Sequence, residues 1–102
     1  MPEFQRSAVI ASAVTSTGAG TTYFSAVGAS DPTFHVQGTS FHIDIHGTNF
    51  VVDGVGSFWT TVGSAITTSG LYSFGSALKI MGFRTQVNSV SSGSNVSVAL
   101  FQ

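Results

Sequence analysis

Residues 57–102 read SFWTTVGSAITTSGLYSFGSALKIMGFRTQVNSVSSGSNVSVALFQ. Short runs of apolar residues and threonine alternate with Gly/Ser clusters, and the last run reaches the chain end. β-Branched and aromatic runs bounded by turn clusters are the pattern of antiparallel β-structure. A Trp-Thr-x-Val-Gly strand stands at Trp59 to Gly63. An Ala-Ile-Thr-x-x-Gly-x-Tyr corner follows at Ala65 to Tyr72. An arginine-bearing strand, Lys79 to Val87, leads through a turn at Ser92-Gly93 to a terminal strand, Val96 to Phe101.

The same grammar extends towards the N-terminus. Residues 1–5 read as an arm in which Phe4 could anchor to a neighbour, and residues 6–102 as a single β-domain. Arg6 to Thr15 is a first strand, although its alanines also suit a helix. Thr21 to Val27 is a second strand. Gly28 to Pro32 is a turn, because Asp-Pro favours turn initiation, and Thr33 to Gln37 is a short third strand. Ser40 to Gly47 has the clearest alternation in the chain. Phe41, Ile43 and Ile45 point one way, and His42, Asp44 and His46 the other, as in a strand buried on one face. Thr48 to Asp53 continues as a more apolar run, and Asp53-Gly54 is a hairpin turn signal. Ser57 to Val62 is the Trp strand. Ser64 to Thr67 and Leu71 to Phe74 flank a turn near Gly70. Ala77 to Val87 is the longest strand, with Met81, Phe83 and Val87 on one face. Val96, Val98 and Leu100 face inward on the last. Short strands at this spacing predict an all-β, antiparallel sandwich of jelly-roll or immunoglobulin-like type, or a small barrel, rather than βαβ units. One internal echo stands out: Ser12 to Gly18 (SAVTSTG) resembles Ser64 to Gly70 (SAITTSG). In a chain this rich in Ser, Thr, Ala and Gly, chance produces such matches readily.

The C-terminal pattern resembles the small β-sandwich proteins of tailed-bacteriophage virions, both capsid decoration (cement) proteins and tail or fibre modules. The residues that carry the resemblance are Trp59, Gly70, Tyr72, Arg84, Val87, Ser89, Ser92, Gly93, Val96 and Val98, in less than half the chain. The resemblance implies a binding protein rather than an enzyme. It also implies that Arg84 belongs to the sandwich and not to a catalytic site.

Length and charge bound the alternatives. A chain of 102 residues suits one domain, which buries roughly 65% of its unfolded surface without staples. There is no cysteine, so disulfides and thiolate metal sites are excluded. Only 7% of residues are charged and the formal net charge is −1, against about 25% charged in ordinary soluble proteins. The basic footprint for nucleic acid and the polybasic stretch for anionic lipid are both missing. Ser, Thr, Asn and Gly must keep the surface wet, and a surface this neutral favours association. Neither a secretory signal nor an apolar run long enough to span a membrane is evident.

Few residues could carry chemistry. His42, Asp44 and His46 share one strand face at about 7 Å spacing, and zinc accepts imidazole and carboxylate. His35 could add a fourth ligand from an adjacent strand. Ligands along one flat strand converge poorly on a small ion, so the plainer reading is a polar solvent-facing or subunit-facing side, with no cofactor. At a subunit contact these histidines would titrate near neutrality. No serine lies in a G-x-S-x-G elbow, no phosphate loop is present, and nothing brings two carboxylates together for glycoside hydrolysis. Trp59, Tyr72 and Phe74 could form an aromatic platform for sugars, but aromatic residues of small sandwiches are more often core or interface anchors. A carboxylate such as Asp44 or Asp53, or a neighbouring subunit, would partner Arg84.

The expectation is therefore a non-enzymatic virion protein on the outer capsid surface, made in the host cytoplasm. It would bind the major capsid protein or other virion proteins as a homo-oligomer, a trimer favoured. Phe4, Arg6, Trp59, Tyr72 and Arg84 are its interface candidates. A tail, neck or fibre module and a carbohydrate-binding adhesin-like module are the alternatives.

Overall fold

Alternation along the chain becomes alternation of burial. In the computed structural model, which describes residues 7–29, 32–73 and 80–101, Phe41, Ile43 and Ile45 are buried while His42 is exposed. Val96, Val98 and Leu100 are fully buried. The described residues contain strands and turns and no helix. The strands are β1 (Ser7–Val14), β2 (Gly18–Ala19), β3 (Tyr23–Ala29), β4 (Thr33–Gly38), β5 (Phe41–Thr48), β6 (Phe50–Val52), β7 (Val55–Ser57), β8 (Thr60–Ile66), β9 (Gly70–Ser73), β10 (Ile80–Val90) and β11 (Val96–Phe101).

Every pairing is antiparallel. One sheet, here sheet A, has the order β1-β11-β4-β9. Sheet B runs β2-β10-β5-β8, with β3 also pairing β10. β6 and β7 form a separate hairpin. Side chains from the two large sheets meet in one core. Ile10, Phe34, Val36, Val96, Val98 and Leu100 come from sheet A; Phe41, Ile43, Ile45, Ile66, Phe83 and Val87 come from sheet B. Phe34 and Phe83 meet edge to face at a centroid distance of 5.4 Å, an arrangement that adds to the burial itself. Thr85 is fully buried, and its hydroxyl has no hydrogen-bond partner.

Several expected elements are redrawn. Ser57 to Val62 is not one strand. It ends as β7 at Ser57, and β8 begins at Thr60. The break lies at Phe58, whose φ is +54°, a conformation that a bulky residue rarely adopts. Thr48 sets the break: its hydroxyl donates to the Ser57 carbonyl and accepts from the Phe50 amide at 3.1 Å. The run after Thr48 likewise does not continue β5 but leaves as β6. Ser64 to Thr67, expected as a separate piece, is largely the second half of β8. There Gly63, with φ +72°, sits at a bulge where Ile43 and Ile45 pair Ile66 and Val62. The turn expected to open at Gly28 does not do so: Gly28 is still in β3, which runs to Ala29, where Ala29 pairs Ile80. The arm at residues 1–5 lies outside the described residues.

The Asp53-Gly54 signal is realised as a two-residue hairpin turn. Val52 pairs Val55, and both turn residues have positive φ, +52° and +76°, as the tight primed turn requires. The internal echo also has a structural counterpart. Residues 12–18 span the passage from β1 in sheet A to β2 in sheet B, and residues 64–70 the passage from β8 in sheet B to β9 in sheet A. Both are strand-to-strand crossings between the two sheets.

Candidate interaction surfaces

The outer face of sheet B is polar and its groups are matched in pairs. β10 lies in register with β5, so Arg84 pairs His46 and Gln86 pairs Asp44. Arg84 Nε donates to His46 Nδ1 at 3.3 Å, which makes that imidazole nitrogen an acceptor and the ring neutral. The guanidinium carbon lies 4.5 Å from the centroid of the Trp59 ring, within cation–π range. Trp59 in turn lies against Gly56 of the hairpin, where a Cβ would come 2.5 Å from the indole. Partial burial lowers the His46 pKa from 6.5; the Arg84 charge lowers it further, and Asp44 acts in the opposite direction. Asp44 accepts a hydrogen bond from Asn88 Nδ2 at 2.8 Å.

The expected carboxylate partner of Arg84 is therefore corrected: among the described residues its partners are a neutral imidazole and an indole ring. His42, Asp44 and His46 do share the outward side of β5, but they do not converge. His46 is turned to Arg84 and Asp44 to Asn88. His35 lies on β4 in the other sheet and does not join them. Among the described residues no three His, Cys, Asp or Glu side chains are grouped to hold a metal ion.

Trp59 and Tyr72 are not neighbours on one platform. Trp59 lies over the outer face of sheet B. Tyr72 stands on β9 opposite the buried Phe34 and packs against the core. Its hydroxyl donates to the Thr68 carbonyl at 2.6 Å, closing the corner between β8 and β9. Phe74, like Phe4 and Arg6, lies outside the described residues.

The outer face of sheet A is of another kind. Val9, Ala99, His35 and Leu71 follow one another across β1, β11, β4 and β9 in direct register. Phe101, Thr33 and Ser73 form the adjacent row. Val9, Leu71 and Phe101 are 61%, 70% and 56% exposed. No described Asp, Glu, Lys or Arg lies on this face. A shallow depression of about 310 Å³ between Val9, His35, Gln37 and Ala99 marks its centre.

A third surface is the β6–β7 hairpin. Phe50, Val52, Val55 and Phe58 are all at least half exposed, and Phe50 and Phe58 stack edge to face at 4.9 Å. Sequence reasoning passed over both apolar surfaces. Alternation identifies the two sides of a strand but not which residues of four different strands come into line. Val9 and Leu71 come into one row, with Phe101 in the row beside it, only through the pairing. No protein-family model, curated protein or solved structure matches this chain.

Proposed function

We propose that the chain is a non-enzymatic structural protein of a tailed-phage virion, a capsid decoration protein that binds the assembled shell through the outer face of sheet A. The observation that carries this reading is that face: without charge among the described residues, with Val9 and Leu71 at the two ends of one register row, Phe101 in the next, and all three exposed. Exposed apolar side chains set among neutral polar groups adhere with less desolvation cost than charged ones. Burial there contributes at about 25 cal/mol per Å². Many copies on one shell would multiply modest single contacts through effective concentration. Shell subunits bridged in this way would resist the pressure of packaged DNA.

The strand order supports the fold half of the reading. β2 and β3 both lie along one side of β10, and β6–β7 stands apart. With β2–β3 counted as one strand and the hairpin set aside, the described strands number eight in chain order. The sheets then read 1-8-3-6 and 2-7-4-5. That order favours the jelly-roll reading over the immunoglobulin-like one, and jelly rolls are found in viral capsid and lectin domains. The lectin-like alternative has a specific observation of its own, an uncharged polar cleft of about 530 Å³ lined by Gln37, Thr39, Ser69 and Asn95. Among the described residues it lacks the stacked aromatic platform, since Trp59 is engaged by Arg84 and Tyr72 faces the core. Cosedimentation with purified, undecorated phage heads tests the proposal. Saturable, stoichiometric binding is expected. Binding to a glycan array with none to heads would replace the proposal with the sugar-binding reading.

A further inference from the structure

Among the described residues the outer face of sheet A carries a single titratable side chain, and it stands in the middle. In the row Val9, Ala99, His35, Leu71, the imidazole of β4 has β11 and β1 on one side and β9 on the other. His35 is exposed, and with Val9, Gln37 and Ala99 it lines the depression of about 310 Å³ at the centre of the face. β1, β11 and β9 bring no described Asp, Glu, Lys, Arg or second His to this side. Tyr72 of β9 packs on the opposite side, against the core. The one polar contact of the ring is with its own strand: Gln37 Nε2 lies 3.3 Å from His35 Nε2. An amide nitrogen donates, so this ring nitrogen accepts and the imidazole is neutral, with its proton on Nδ1. Protonation turns Nε2 into a donor facing another donor until the Gln37 amide turns over. It also sets a full positive charge between Val9 and Leu71.

We propose that His35 makes attachment through sheet A pH-dependent: the shell covers the neutral ring and rejects the imidazolium. This regulation rests on the shell-binding reading of the face. Covering the face takes His35 out of water, and no described group beside it offers a negative charge in return. Desolvation disfavours the charged form of such a group, and an unpaired buried charge costs far more than a neutral polar group. The docked chain therefore holds fewer protons at this position than the free chain, and affinity falls as pH falls. An ordinary imidazole is about nine-tenths protonated one pH unit below its usual midpoint near 6.5. With the neutral fraction alone competent to dock, apparent affinity drops about tenfold.

The test is binding to undecorated heads at pH 7.5 and pH 5.5, on either side of the imidazole range, with circular dichroism to show each chain folded at both. The wild type should bind about tenfold more weakly at the lower pH. His35→Gln stays neutral and should show no such ratio, whatever its affinity at the higher pH. His42→Gln, changed on the outer face of sheet B, should keep the wild-type ratio. His35→Lys carries its charge at both values and should bind at least tenfold more weakly than His35→Gln at the higher pH, about 1.4 kcal/mol. A wild type that binds heads equally at both values would overturn the pH dependence and leave the shell-binding reading standing. A wild type that binds at neither would remove both. A fall shared in full by His35→Gln would place the titration elsewhere, and loss of all binding by His35→Gln would show that a neutral side chain does not suffice; either overturns the proposal. So would affinity that rises at the lower pH, which would set a carboxylate of the shell against His35.

Discussion

The two outward faces share a core and differ in almost everything else. On sheet B, Arg84, His46, Trp59, Asp44 and Asn88 satisfy one another within the chain. On sheet A, Val9, Leu71 and Phe101 are exposed, and no described Asp, Glu, Lys or Arg lies on their face. A charged group that finds its partner internally adds to folding and leaves little for a ligand. An exposed apolar row adds nothing to folding and keeps its burial energy for association. On the proposed reading, the sparse charges of this chain follow a division of labour between stability and binding.

The most damaging change to that division is one that strikes both faces together. Phe83→Ala removes the ring that meets Phe34 between the sheets and should cost about 3–5 kcal/mol. Chemical denaturation followed by Trp59 fluorescence and by far-ultraviolet circular dichroism should give coincident transitions. Separated transitions would mean that the faces do not rest on one core. Arg84→Ala strikes sheet B alone. Loss of the indole stack and the His46 hydrogen bond should lower stability by about 1–2 kcal/mol. It should also shift Trp59 emission and leave binding through sheet A unchanged. Thr85→Val removes a buried hydroxyl without a partner and should raise stability by about 1 kcal/mol, read as a higher denaturation midpoint.

The smallest effect is the pH response of sheet B. The His46 pKa lies below 6.5 in the folded chain, so below that pH the unfolded chain binds more protons than the folded one. The stability contributed by the neutral imidazole is complete above pH 6.5 and is lost as pH falls towards the folded pKa. Denaturation midpoints of the wild type should fall more than those of His46→Gln between pH 7.5 and 5.5. Equal slopes would remove His46 from the account.

Much of the fold was legible because β-structure writes itself in period two. The burial of Phe41, Ile43, Ile45, Val96, Val98 and Leu100 follows from alternation, and the Asp53-Gly54 turn from its dipeptide. The break at Phe58-Trp59 was not legible, since it depends on Thr48 capturing the Ser57 carbonyl from another strand. The β8 bulge at Gly63 depends on register with β5 in the same way. For the site, the outward side of β5 could be read, but not that His46 would face Arg84 or Asp44 face Asn88. The face of sheet A stayed hidden for a further reason: its apolar residues come singly from β1, β9 and β11, and each one alone resembles an ordinary exposed hydrophobe.

The central claim, that sheet A binds and sheet B stabilises, is tested most directly by measuring head binding of two variants side by side. Val9→Asp with Leu71→Asp places charge in the exposed row at positions where surface changes usually alter stability by no more than about 0.5 kcal/mol each. Arg84→Ala weakens the fold without touching that row. The account predicts that the sheet A variant keeps its denaturation midpoint and loses head affinity at least tenfold, about 1.4 kcal/mol. The Arg84 variant should bind as the wild type does. Retained binding by the sheet A variant, with loss in the folded Arg84 variant, would contradict the account and move the docking surface to sheet B.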